Sequence, residues 1–232
     1  DTYTVYNMLN PGQYSYIIRN FKKGDPWILD NPYRKYQGIE ILFNKRMSNR
    51  WQLIASYIYS VCKGTIDNGF ADDIGWGGNT YDPNFWINAD GHCTRDPTHM
   101  LKLQGTYILP FGIYFNAYFS YISGNTYTRR IRVRLDQGRR YIFTEPRGSR
   151  RYPARWNLDL RLEKTLRIAE KHRIGLMMDV FNVFNNDIIT SWGTQAGYDW
   201  LPNDPTAPGP DGHKVYGLVN PRAIRLGIRF FF

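Results

Sequence analysis

The sequence predicts an all-β fold, an antiparallel transmembrane β-barrel seen as the strands of its wall. Three observations predict it. Apolar and polar residues alternate with a period of two in seven stretches, the mark of a strand with one oily and one wet face. Short and long connections alternate between those stretches. Aromatic residues make up 16% of the chain, with 18 Tyr, 13 Phe and 7 Trp, which suits aromatic girdles at two membrane interfaces. Mean hydropathy is −0.52, and no apolar run approaches the ~20 residues that a membrane-spanning helix needs. A helical membrane protein is thereby excluded, but a barrel is not, because only alternate residues of its strands meet lipid.

Residues 1–35 read as a loop with one or two uncertain strands, Thr2 to Met8 and Tyr14 to Phe21. Gly24, Pro26 and Pro32 make Lys22 to Tyr33 a loop. Residues 36–232 read as barrel strands. In the first, Ile39, Ile41 and Phe43 alternate with Gly38, Glu40 and Asn44. From 51 to 61, Trp51, Leu53, Ala55, Tyr57, Tyr59 and Val61 alternate with a face holding Gln52, Ser56 and Ser60. Leu101, Leu103, Tyr107 and Leu109 then oppose Lys102, Gln104 and Thr106, and Ile113, Phe115, Ala117, Phe119 and Tyr121 oppose Asn116 and Ser120. The clearest case sets Trp156, Leu158, Leu160 and Leu162 against Asn157, Asp159, Arg161 and Glu163. A face carrying Asn, Asp, Arg and Glu suits a water-filled lumen better than a packed interior. Ile174, Leu176, Met178 and Val180 oppose Arg173 and Asp179, and in the last strand Ile224, Leu226, Ile228, Phe230 and Phe232 oppose Arg225, Gly227 and Arg229. Arg46 to Arg50, Leu109 to Gly112 and Arg167 to His172 are short connections, and 62–97, 123–153 and 185–220 are long ones.

A strand that ends on phenylalanine resembles the last strand of bacterial outer-membrane β-barrels. In that family it closes the barrel, and its aromatic end is read by the barrel-assembly machinery. Ile224, Leu226, Ile228, Phe230 and Phe232 are accordingly the expected insertion signal. The resemblance places the C-terminus in the periplasm, with short turns on that side and the three long loops outside the cell. Asp1 opens directly into Thr-Tyr-Thr-Val-Tyr with no secretory signal, so a mature product or a piece of a longer protein is expected.

Motifs along most of the chain resemble one family more closely. They include Tyr36-Gln-Gly-Ile-Glu40, Asp96-Pro-Thr-His99, Leu109-Pro-Phe-Gly112, Ser123-Gly124-Asn-Thr-Tyr127 and Glu145-Pro-Arg-Gly-Ser-Arg-Arg151. They continue with Asn157-Leu-Asp-Leu-Arg-Leu-Glu-Lys164, Asp179-Val-Phe-Asn-Val-Phe-Asn185 and Asn220-Pro-Arg-Ala-Ile-Arg-Leu-Gly-Ile-Arg-Phe230. In this order they resemble the C-terminal part of the barrel of TonB-dependent receptors, of the large type with an N-terminal carboxypeptidase-regulatory-like domain. The resemblance implies a barrel of about twenty-two strands with an N-terminal plug. It implies energised uptake of a large or scarce solute, with the TonB complex pulling on a plug that this chain lacks. An outer-membrane structural or interaction protein, acting as a hub for a lipoprotein or surface assembly, and a passive porin are the other readings.

Within the long loops three features invite function. Cys62 and Cys93 end one loop near the tops of strands that should be neighbours, and export exposes them to oxidising enzymes, so a disulfide is expected. The same loop holds Asp67, Asn68, Asp72, Asp73, Asn79, Asp82, Asn84 and Asp90. Ca²⁺ takes such oxygens, but no calcium-loop signature is present and these residues are also turn formers; no cofactor is therefore expected. Arginines crowd the stretch from Arg129 to Arg155 and supply much of the net charge of +10. Arg129, Arg130, Arg147, Arg150 and Arg151 are the expected contacts to the phosphates of lipopolysaccharide, with pairing to acidic neighbours in the scaffold and an anionic substrate as the alternatives. No motif supports nucleic-acid binding. Trp76, Trp86, Trp192 and Trp200 are loop aromatics suited to packing or to stacking on a ligand. His92, His99, His172 and His213 show no metal-ligand spacing, and no nucleophile motif is present, so no enzyme is expected.

Overall fold

Backbone pairing organises this chain. The computed structural model describes residues 4–10, 22–26, 28–66, 82–168, 172–198, 201–202 and 214–232. In chain order the strands are β1 (Arg34–Ser48), β2 (Trp51–Gly64), β3 (Gly91–His92), β4 (His99–Leu109), β5 (Ile113–Ile122), β6 (Thr126–Tyr127), β7 (Arg130–Leu135) and β8 (Gly138–Phe143). They continue with β9 (Arg150–Arg151), β10 (Arg155–Arg167), β11 (Arg173–Phe181), β12 (Ile189–Trp192), β13 (Gln195–Tyr198), β14 (Leu201–Pro202), β15 (Val215–Leu218) and β16 (Ala223–Phe231). The main sheet runs β1-β2-β4-β5-β10-β11-β16 with every neighbour antiparallel, and β3 pairs with the end of β2. Each of the seven stretches with strand periodicity is one of these long strands. Of the first 35 residues, Thr4 to Met8 form no strand, and Tyr14 to Phe21 lie outside the described residues.

Register explains why the alternation matters. Ile41 sits opposite Tyr57, Tyr57 opposite Leu101, Leu101 opposite Tyr121, and Tyr121 opposite Trp156. Farther along, Leu160 faces Val180 and Val180 faces Ile224. Each of these pairings joins apolar position to apolar position, so an oily band crosses all seven strands, with Lys45, Lys164 and His99 near its ends. That band is bare: Ile39 is 64% exposed, Leu226 76% and Phe230 66%. A patch of this size on a protein in water would be an association site, whereas lipid covers it at no cost. No helix among the described residues is long and apolar enough to cross a membrane.

The short connections have the backbone that tight hairpins need. Asn49 and Arg50 join β1 to β2 with φ of 50° and 68°, the paired positive values of a turn that matches strand twist. Lys45 braces that turn, its Nζ donating to Ser48 O at 3.1 Å and lying 3.8 Å over the Trp51 ring. Phe111 and Gly112, with φ of 64° and 69°, reverse the chain between β4 and β5.

The long connections are more structured than their composition suggests. β2 continues past Cys62 to Gly64. The second and third connections hold β6 to β9 and β12 to β15, and β7 pairs with β13 in parallel across the two connections. The well-buried apolar residues lie mostly here: Phe85, Trp86, Ala89, Cys93, Val133, Ile142, Phe143 and Trp192. The sheet itself is open, with β1 and β16 each paired on one side among the described residues.

Leu103 lies on the oily face between Ala55 and Phe119, and Gln104 lies on the other face. Leu103→Arg is expected to destabilise the folded protein in bilayers by about 2–4 kcal/mol, and Gln104→Arg by far less. Denaturant titration of both variants in lipid vesicles checks the contrast.

Candidate functional site

The layer of long connections rests on the end of β2. Cys62 and Cys93 are joined by a disulfide with Cα atoms 5.3 Å apart, and the Cys93 N–H donates to Cys62 O at 2.9 Å. Asp96, 4% exposed, fixes the same corner. Its Oδ2 accepts from the Cys62 N–H at 3.1 Å and lies 3.1 Å from His92 Nδ1. Thr126 Oγ1 donates to Cys93 O, which joins the second connection to the first.

The arginines separate into distinct roles. Arg147 is a correction to the expected anion contacts: it is 2% exposed. Its guanidinium donates to the carbonyl oxygens of Gly64, the last residue of β2, and of Thr65 just beyond it. Arg147 is therefore a structural post under the layer. Its neighbour Gly148 has φ of 66°, and a Cβ there would stand 2.6 Å from His92 Cβ. Arg150 pairs with Glu145 at 2.7 Å, and Glu145 also accepts from the Arg129 N–H at 3.0 Å. Arg151 donates to Asp96 O at 2.7 Å and Gly124 O at 3.1 Å. Arg150 and Arg151 keep side-chain surface at the rim, while much of their donor capacity is already engaged.

A second group of arginines lies on the β7–β8 hairpin. The register puts Arg130, Arg132 and Arg134 on one face of β7, with Tyr141 opposite Arg132 and Arg139 opposite Arg134. The Arg130 guanidinium stacks 4.4 Å over the Tyr141 ring. Arg140, on the other face, pairs with buried Asp82 at 2.6 Å. Beside the hairpin Tyr127, Tyr152 and Trp192 form an aromatic cluster with centroids 4.5, 4.8 and 5.6 Å apart, and the Tyr152 hydroxyl donates to Trp192 O. Trp86 packs with Phe85 and Ile28 in a small core. Trp76 and Trp200 lie outside the described residues.

On the polar face of the sheet, Asn157 donates to Asp159 at 2.7 Å, and Asp179 accepts from both Arg161 and Arg225. This three-strand ion network joins β10, β11 and β16. The Asn182 to Asn185 motif acquires a physical role: both residues have positive φ, 49° and 54°. The Asn182 side chain bonds Asn186 O at 3.0 Å and Asn220 O at 2.8 Å, tying the exit of β11 to the entry of β16. Nothing in the alternation pattern indicates these cross-ties.

The histidines do not converge. His99 Nδ1 lies 2.9 Å from the Tyr57 hydroxyl, His92 meets Asp96, and His172 O accepts from the Ile168 N–H. His213 lies outside the described residues. Among those described, no group of three or more His, Cys, Asp or Glu is placed to hold a metal. Of the oxygen-rich loop, Asp82 serves Arg140 and Asn84, and Asp90 accepts from the Tyr33 hydroxyl at 2.6 Å. Asp67, Asn68, Asp72, Asp73 and Asn79 lie outside the described residues.

No known family model matches the chain, and no curated protein matches it. Solved structures do. The ferripyoverdine receptor of the outer membrane of Pseudomonas aeruginosa, bound to ferripyoverdine, superposes with a TM-score of 0.50 at 15% identity, over 86% of this chain and 20% of the receptor. The same receptor bound to a heterologous pyoverdine–iron complex gives 0.50 at 14% identity, over 86% and 20%. The ferric-catecholate import receptor Fiu of Escherichia coli K12 gives 0.47 at 15% identity, over 87% and 21%. The fold is that of part of an antiparallel β-barrel wall. The chain spans about a fifth of the length of these receptors.

Two expected outcomes concern this loop layer. Replacing both Cys62 and Cys93 by Ser opens a loop of sequence separation 31 and is expected to destabilise the layer by about 3 kcal/mol. Proteolysis of the layer at rising denaturant reads that loss. The second concerns Glu145. Burial pushes its carboxyl up, but the Arg150 hydrogen bond and the Arg129 N–H outweigh burial and hold it below the usual carboxylate range. A lowered folded value contributes stability above the unfolded value of about 4.3 and loses it as pH falls through the folded value. Exchange of the Arg129 amide is expected to accelerate in acid, and Glu145→Gln to remove that acid step.

Proposed function

We propose that this chain is part of the barrel wall of a TonB-dependent outer-membrane receptor that takes up a large or scarce solute through a plugged barrel. The observation that carries the reading is the pairing of two features in one unit. A seven-stranded antiparallel sheet has an oily band across all its strands, and a built layer of long connections stands at one end only. The fold likeness to outer-membrane receptors over 86% of the chain supports it.

In this reading the short-turn end of the sheet, with the C-terminus, is periplasmic, and the loop layer faces outward. The solute meets that layer and the lumen-facing network around Asp179. Ile224, Leu226, Ile228, Phe230 and Phe232 would be engaged by the assembly machinery. Arg129, Arg130, Arg150 and Arg151 would meet lipopolysaccharide phosphates at the rim, where arginine forks suit phosphate oxygens. Arg147 has no part in that contact.

The protein extracted from outer membranes is expected to be several times heavier than the 27.3 kDa of this chain, and to stay closed in planar bilayers. Intact mass and single-channel recording test both points. A persistent open conductance at full mass would replace the reading with a passive porin. A closed protein whose deletion leaves solute uptake unchanged would make it a structural hub.

A further inference from the structure

Residues 4–8 run across the loop layer without forming a strand and with little apolar anchoring: Val5 is 38% exposed, Tyr6 39% and Leu9 beyond them 95%. Side-chain amides acting as backbone mimics hold them. Asn84 Oδ1 accepts from the Tyr6 N–H at 2.8 Å, and Asn84 Nδ2 donates to Tyr6 O at 2.8 Å. From the other side Gln137 Nε2 donates to Tyr6 O at 2.8 Å, and Gln137 Oε1 accepts from the Met8 N–H at 3.0 Å. Between those two positions the Asn7 side chain is read separately. Its Nδ2 donates to Asp136 Oδ2, and its Oδ1 accepts from the Asp136 N–H at 2.8 Å.

The clamp residues are also tied to the layer by contacts that do not involve residues 4–8. Asn84 is 2% exposed, and its amide is oriented by Asp82, whose Oδ1 accepts from Asn84 N at 2.9 Å and Nδ2 at 2.8 Å. Asp82 is held in turn by Arg140 of β8 at 2.6 Å, so the two jaws are fixed to each other. With residues 4–8 in place, both ends of the buried Asn84 amide are satisfied by one residue, Tyr6, together with Asp82. A peptide backbone presenting one N–H and one C=O from the same residue satisfies it, as strand addition does at a sheet edge.

We propose that Asn84, Asp136 and Gln137 form a binding site for an extended peptide carrying asparagine, and that residues 4–8 occupy it in cis. The ligand class follows from the contacts: free backbone at one residue, an amide side chain at the next, and an N–H at the third. A tethered segment has a high effective concentration and masks the site from peptides in solution. The proposal is independent of the transporter reading, since it requires neither a plug nor energised uptake.

Asn7→Asp in the full chain sets a carboxylate against that of Asp136 and should release the segment while keeping its backbone. Tyr6 and Met8 amide exchange should accelerate in this variant. Binding of labelled Thr-Val-Tyr-Asn-Met-Leu, followed by fluorescence anisotropy, should strengthen at least about tenfold over the parent chain. The probe Thr-Val-Tyr-Asp-Met-Leu should not bind, and adding Gln137→Ala should abolish binding of the first. Continued protection of the Tyr6 amide, equal binding by parent and variant, or equal binding of both probes would each overturn the proposal.

Discussion

Hydrocarbon offers no hydrogen bonds, so every backbone N–H and C=O placed in it must find a partner within the protein. That constraint organises the main sheet. Strand pairing satisfies the backbone, and the two-residue side-chain period then leaves one acceptable register per pair. A slip of one residue would turn Leu158, Leu160 and Leu162 inward and carry Asp159 and Arg161 into lipid. Six successive pairings obey the same rule: four carry the apolar row from Ile41 through Trp156, and two carry the row from Leu160 through Val180 to Ile224. The opposite face is relieved of any packing duty and can hold charge. Asp179 between Arg161 and Arg225 belongs there, because two guanidinium partners from flanking strands stabilise both its ionised form and the order of those strands.

The loop layer obeys different physics. It has a modest buried core, and polar contacts, close backbone approaches and one covalent bond supplement it. Arg147 is the plainest example. A buried guanidinium donates to carbonyl oxygens at the end of β2, and Gly148 lets His92 approach closely enough for the two connections to lock. The clamp on residues 4–8 uses the same chemistry on a surface segment, amide groups standing in for a neighbouring strand.

This contrast explains what the sequence made legible. The seven strands were readable because each imposes its own local alternation, and the hairpin at Asn49 because turn chemistry is local too. The strands of the loop layer were not readable. β7 finds its parallel partner β13 in a different connection, and no local pattern encodes such a meeting. The fate of each arginine was equally hidden. Arg147, Arg150 and Arg151 are near neighbours in one basic run, yet one is a buried post, one pairs with Glu145 and one donates to carbonyl oxygens. Charge is a property of composition, but its partner is a property of the fold. Asn84 was missed for a related reason: among so many turn-forming Asp and Asn residues, nothing distinguishes the one whose amide is buried.

Strand direction limits what can complete the wall. Six antiparallel pairings separate β1 from β16, so the two open edges run the same way. A seam between them would be parallel, whether it closed one sheet on itself or joined two copies head to tail. Outer-membrane barrels are antiparallel throughout, and bacterial single-chain barrels have an even strand number. Closure therefore requires an odd number of further strands between these edges, drawn from residues outside those described or from more polypeptide. A second copy of this seven-stranded unit in the same orientation meets the first at parallel seams, and one turned over would put its layer of long connections at the opposite end. A longer antiparallel wall with an even strand total meets the requirement without a parallel seam and leaves both edges hydrogen-bonded in the hydrocarbon.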